Sequence, residues 1–202
     1  SWTVGVTEID LPAFCARRDT LLSELSESLN ETGSLWLHGA SGTGKSTLAQ
    51  QVARASEQNW LVTEFRDQRT SSDVLLRLDR AYSDVVLSSE IGGVILDDLD
   101  TDIVAQHAAR LGRFITWMRK RGASVVITSA RSLSPAALQS ASLSPSSVRE
   151  APYLTSEETI ELVAQTRAPT DLAEAWGGFI HLSTSGGHPQ LVAAKVVSLE
   201  HR

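Results

Sequence analysis

Apolar positions along this chain change period repeatedly. Leu21, Leu22, Leu25 and Leu29 recur at helical spacing, and the short run Leu35-Trp36-Leu37 that follows leads straight into glycine. That succession predicts a helix, a strand and a loop. A second helix is expected from about Lys45, then a strand around Trp60-Leu61-Val62, then a helix whose face carries Val74, Leu78, Tyr82, Val85 and Val86, ended by Gly92-Gly93. Val94-Ile95-Leu96 and Val125-Val126-Ile127 are continuous apolar runs of the kind a strand shows when both its faces are covered. Between them Val104, Ala108, Leu111, Ile115 and Met118 predict one further helix. Alternating helices and short buried strands are the pattern of a parallel sheet flanked by helices.

After Thr128-Ser129 the pattern changes. Residues 132–147 are rich in Ser, Pro and Ala, readable as a loop or a short helix, and no strand signal follows. Thr155 with Glu158 forms a capping box that opens a helix through Ile160 and Val163. Leu172, Trp176, Phe179 and Ile180 are expected to share one apolar face of another helix despite Gly177-Gly178. Gly186-Gly187-His188-Pro189 then breaks the chain before Leu191, Val192, Val196 and Leu199. The expected division is an α/β domain over 1–153 and an all-helical cap over 154–202.

Composition narrows the class. With 202 residues, 42% hydrophobic, the chain can bury one sizeable core. A net charge of -6 without long like-charged blocks argues against a surface that tracks nucleic-acid phosphates, so phosphate binding is expected to be local. The lone Cys15 cannot form an internal disulfide and suits a reducing, cytoplasmic setting; no apolar run reaches membrane-spanning length. Asn30-Glu31-Thr32 reads as a chance sequon. A start at Ser1 and an end after an apolar helical segment suggest a domain of a longer protein, whose other domains would be partners.

The chemistry concentrates in Gly39-Ala40-Ser41-Gly42-Thr43-Gly44-Lys45-Ser46, a complete Walker A pattern set between a strand and a helix and followed by Thr47. Its glycines let backbone N–H groups curl round phosphates, the following helix presents its positive end, Lys45 neutralises β and γ oxygens, and the Ser46 hydroxyl suits Mg²⁺. About fifty residues on, Asp97 and Asp98 end a buried strand as a Walker B element does. Asp97 is the candidate metal ligand and Asp98 the candidate catalytic carboxylate that orients or deprotonates water, with Asp100 as an alternate. Arg131, at the end of the next strand, is either a sensor of the γ-phosphate or a surface arginine. No Asn-Lys-x-Asp segment is present to read guanine, which favours ATP over GTP. The five histidines show no metal spacing, and no zinc is expected.

Walker A, the Asp-Asp element, the polar strand end with Arg131 and the late Gly187-His188-Pro189 occur in the order of STAND ATPases, the AAA+-related signalling NTPases of NB-ARC and NACHT type, which the chain resembles over about residues 14 to 198. Phe14-Cys15-Ala16-Arg17-Arg18-Asp19 is similar to the family segment lying over the adenine, with Arg17 in the place of its arginine and Ala16 in that of its glycine. Gly187-His188-Pro189 is similar to the GxP motif, whose proline, here Pro189, packs near the adenine. The resemblance implies a P-loop NTPase of ASCE type, a five-stranded parallel sheet in order 5-1-4-3-2 flanked by helices, and a small helical lid. It also implies ATP or ADP with Mg²⁺ as cofactors, slow hydrolysis, and a nucleotide-controlled switch that self-associates as a homo-oligomer in the ATP state. Two alternatives stay open: an AAA+ remodeller of nucleic acid or protein, and a non-hydrolysing ATP-binding interaction module. The acidic balance counts against nucleic acid for this segment.

Overall fold

The computed structural model describes residues 6–201; positions 1–5 and 202, which fall within the expected domain limits, lie outside it. Helix α1 (Asp19–Thr32) ends at Gly33, which adopts a left-handed conformation and returns its N–H to the Leu29 carbonyl. Strand β1 (Ser34–His38) follows, and the phosphate loop leads from it into α2 (Lys45–Ala55). Then come β2 (Asn59–Glu64), α3 (Ser71–Leu87), β3 (Ile91–Leu99), α4 (Thr101–Gln106), α5 (Ala108–Lys120), β4 (Ser124–Ser129), α6 (Pro135–Ser140) and β5 (Val148–Glu150). Three helices complete the chain: α7 (Ser156–Ala164), α8 (Ala173–Ser183) and α9 (Pro189–Glu200).

All neighbouring strands are parallel, in the order β2-β3-β4-β1-β5, which read from the other edge is the expected 5-1-4-3-2. The period-2 alternation of strands explains the continuous apolar runs. Trp36, Val94, Leu96, Val125 and Ile127 enter the cluster shared with α3 to α6, while Leu35, Leu37, Ile95 and Val126 enter the opposite cluster with α1 and α2. Central strands are therefore apolar on both faces, and the sheet is sandwiched between helical layers.

Three expectations need correction, and one strand of the expected five had no local signal. Gly92 and Gly93 do not end α3; they lie inside β3, where a Cβ on Gly93 would meet the Trp60 ring at 2.7 Å, so the glycine admits that indole. The helix expected from Val104 to Met118 is two helices, parted at His107, whose backbone leaves the helical region. The short strand β5 had no apolar run to announce it, because Val148-Arg149-Glu150 sits at an edge with its last two residues exposed. In α8 the buried residues are Ala173, Gly177 and Ile180; Leu172, Trp176 and Phe179 are exposed. Small residues face α7, and the large ones are left outside.

The last three helices form a cluster of their own, Leu154, Leu162, Val163, Ala173, Ile180, Val192 and Val196, which also takes in Ala16. The N-terminal segment is tied to this cluster by polar contacts: Gln165 donates to the Cys15 carbonyl at 3.1 Å and accepts from the Cys15 N–H at 3.3 Å.

Candidate functional site

A cleft of about 710 Å³ opens between the carboxyl ends of the strands and the last helices. Its floor is the phosphate loop. Gly42 and Gly44 take left-handed conformations, and a Cβ on Gly42 would run into the Gln190 and His188 side chains, so glycine is required there on two counts. Ser41, Gly42, Gly44, Lys45, Ser46 and Thr47 all line the cleft. Lys45 Nζ donates to the carbonyls of Gly39 and Ala40 at 2.6 and 3.0 Å, and the buried Thr43 hydroxyl donates to the Ala40 carbonyl at 2.8 Å. Burial lowers the Lys45 pKa below that of an ordinary lysine, a shift opposed by the nearby carboxylates of Asp98 and Asp97. An anion in the cleft would oppose the shift further.

The acidic strand end meets this loop through a bulge. Between Leu96 and Leu99, β3 spends three steps against the two that β4 spends between Ile127 and Ser129. The extra residue is Asp98, in a left-handed conformation at φ 60°, with its N–H donated to Thr128 Oγ1 at 2.8 Å. The same Thr128 hydroxyl donates to Asp97 Oδ1 at 2.6 Å. Asp97, buried, accepts from the Ser46 hydroxyl at 2.8 and 3.0 Å through its two oxygens. The bulge thus sends Asp97 to the loop serine and Asp98 into the cleft.

Ser46 and Asp97 together offer a hydroxyl and a carboxylate, hard oxygen donors of the type Mg²⁺ takes when phosphate oxygens and water complete its shell. Among the described residues no group of three or more His, Cys, Asp or Glu forms a metal cluster. The donors therefore fit Mg²⁺ shared with a nucleotide better than a cation held by protein alone.

Two expected site residues stand elsewhere. Arg131 leaves the strand end away from the cleft, one guanidinium nitrogen donating to both Asp102 oxygens at 2.8 Å. Its carbonyl, held by Ser129 Oγ and Trp36 Nε1, fixes the turn that directs the side chain toward α4. Arg17 is 77% exposed and pairs with Glu161 on α7. Its neighbour Arg18, only 7% exposed, lines the cleft instead. Arg18 has φ 54° at the start of α1, which turns its side chain inward to Glu158 at 3.2 Å and to the Pro152 and Tyr153 carbonyls.

Pro189 does line the cleft, as the first residue of α9. Beside it Gln190 donates its backbone N–H to the Gly42 carbonyl at 3.0 Å. Sequence reasoning missed this contact, and it missed Arg66, which lines the cleft and approaches Asp98 Oδ2 at 3.6 Å. Arg66 had a signal: it lies just past the carboxyl end of β2, and Phe65 N–H still pairs with the Asp97 carbonyl, so the strand-end reasoning given for Arg131 applied to it equally.

The family model described as AAA ATPase domain matches residues 15–194, a stretch that contains the loop, the acidic strand end and Pro189. The chain belongs to the AAA ATPase domain family. The AAA+-related P-loop reading of the sequence is thereby shown, at the level of the family and not of the STAND subtype. No curated protein matches the chain. Among solved structures this AAA ATPase domain is similar to domain III of the Thermotoga maritima replication initiation protein DnaA, with TM-score 0.56 and 12% identity over 88% of this chain and 79% of that one. It is similar also to a chain described under the structural basis for katanin self-assembly, at TM-score 0.52 and 14% identity, covering 88% and 71%. A third is the replication initiator DnaA bound to AMPPCP and single-stranded DNA, at TM-score 0.53 and 11% identity over 93% of this chain and 62% of that one. At these identities the likeness is one of fold.

Proposed function

We propose that this AAA ATPase domain binds ATP with Mg²⁺ in the cleft, hydrolyses it slowly, and acts as a conformational switch of STAND type in a longer regulatory protein. Lys45 turns from the Gly39 and Ala40 carbonyls to the β and γ oxygens, and Ser46 with Asp97 holds Mg²⁺, which neutralises phosphate charge when bound. Asp98 orients or deprotonates the attacking water, and Arg66 takes the cationic position that the sequence assigned to Arg131. Arg18 and Pro189 border the base.

One contact carries the switch reading. The Gln190 N–H donates to the Gly42 carbonyl, so the first turn of α9 rests on the phosphate loop itself. A change of loop geometry on phosphate binding is transmitted to the helical lid of residues 154–202 without an intervening element, and the ATP-bound lid position favours self-association into a homo-oligomer.

Asp98→Asn is the test, with turnover and assembly measured together. The expected result is ATP affinity within about threefold of the native chain, turnover lowered at least about a hundredfold, and the associated state prolonged. Undiminished turnover would remove Asp98 from the chemistry, and turnover stimulated by DNA or unfolded protein would replace the switch by a remodelling motor.

A further inference from the structure

Two helices on opposite faces of the sheet carry exposed charge of one sign each, although α3, in the same layer as α5, carries exposed Asp73 and Asp79 beside Arg77 and Arg80. Along α1, Glu24, Glu27 and Glu31 are exposed at positions i, i+3 and i+7, which puts three carboxylates in one stripe, and the helix contains no lysine or arginine. The reverse holds for α5, which has no Asp or Glu; Arg113 and Lys120 are exposed at i and i+7, and Arg121 is exposed at its end. Each stripe extends roughly 10 Å at the rise of an α-helix. The two are matched in length and opposite in sign.

Neither stripe is neutralised within its own molecule. Among the described residues none of these six side chains takes part in an ion pair, whereas Arg110, next to them, is paired with Asp79. α1 packs in the cluster with α2, and α5 in the cluster on the opposite face; the two helices approach at their carboxyl ends, where the Arg119 side chain lies within 3.4 Å of the Cβ position of Gly33. α2 adds one exposed cation, Arg54. Nucleic acid fits the basic stripe poorly, because its aromatic residue is already covered. Trp117 lies against Tyr82 with ring centroids 4.2 Å apart and under the Arg121 guanidinium at 4.9 Å, so its face is closed to a base. A helix edged with carboxylates fits better, and this chain carries one.

We propose that α1 of one copy docks along α5 of the next, acidic stripe against basic stripe. The two patches differ, so the pair keeps one of each unfilled after the first contact, and the arrangement propagates head to tail into a ring or a filament. The inference names the surfaces for the self-association in the proposed function and rests on that reading for when they engage. Charge complementarity of this kind sets partner choice and register.

Two triple variants test it, in sedimentation velocity with a non-hydrolysable ATP analogue. One carries Glu24→Lys, Glu27→Lys and Glu31→Lys; the other carries Arg113→Glu, Lys120→Glu and Arg121→Glu. Each alone is expected to stay monomeric where the native chain assembles. An equimolar mixture is expected to assemble again, since one variant is then basic on both faces and the other acidic on both. Raising salt from about 0.05 to about 0.5 M is expected to weaken native assembly at least about tenfold. Assembly of either variant alone at native strength, or a mixture that stays monomeric, overturns the proposal. So does single-stranded DNA binding lost in the arginine variant with assembly intact, which would assign the stripe to nucleic acid. Single reversals, Glu27→Lys and Lys120→Glu, give the same readout in graded form where a triple variant melts early. Calorimetry with the analogue on the same samples separates the two readings: binding without native assembly overturns the docking surface, and assembly restored by mixing without binding overturns the nucleotide switch alone.

Discussion

In the sheet, side chains such as Trp36, Leu37, Val94, Ile95, Val126 and Ile127 are fully enclosed, each strand pressed between two layers of helices. In the last three helices the packing is one-sided. Val163, Val192 and Val196 are covered, but Phe179 and Leu182 on α8 are 69% and 79% exposed. What the helical segment lacks in apolar burial it replaces in part with polar ties, chiefly Arg18 to Glu158 and to two carbonyls of the connecting segment. A cleft bounded by one heavily packed wall and one lightly packed wall lets the second move while the first keeps the phosphate loop and the acidic strand end in register.

The contrast breaks first if the core is not the dominant source of stability. Trp36→Ala is expected to destabilise the chain by about 3–5 kcal/mol, read as the shift of a urea denaturation midpoint. A loss no larger than that of a substitution in α7 to α9 would erase the distinction. Arg18→Gln removes the charged tie between the N-terminal segment and α7. It is expected to lower the free energy of local opening of α7 to α9 by about 1.5–3 kcal/mol in native-state hydrogen exchange while leaving the sheet amides unchanged. Equal loss of protection in β1 and β4 would mean that the two regions open as one. The smallest effect is expected at the exposed face of α8, where Phe179→Ser should change global stability by no more than about 0.5 kcal/mol. A larger loss would show that Phe179 is covered in solution.

The same contrast governs what could be read from the residues alone. The central strands were legible because burial on both faces leaves an uninterrupted apolar run, and the Walker A loop because its chemistry tolerates few substitutions in type or spacing. Edge strand β5 was not, since an exposed strand of three residues, Val148–Glu150, leaves no such trace. Nor was the buried face of α8, where the residues that pack are small and the residues that attract attention are large. Within the site, Ser46 and Asp97, singled out from separate motifs, are brought into contact, whereas the arginines do not follow their sequence positions. Arg17 and Arg18 are adjacent, and a left-handed residue at the helix start decides which one turns inward. Arg66 and Arg131 both follow strand ends, and an acceptor on α4, Asp102, draws one of them away. Such choices depend on partners distant in sequence, which no local pattern encodes.

The proposed function requires the loop around Lys45 and the carboxylate of Asp97 together to hold a triphosphate and its cation. Calorimetric titration of ATP into the native chain and into Lys45→Ala, with and without Mg²⁺, tests it most directly. Mg²⁺-dependent binding is expected, weakened by Lys45→Ala at least about a hundredfold, near 2.7 kcal/mol. Equal affinity in the two proteins, or binding indifferent to Mg²⁺, would contradict it.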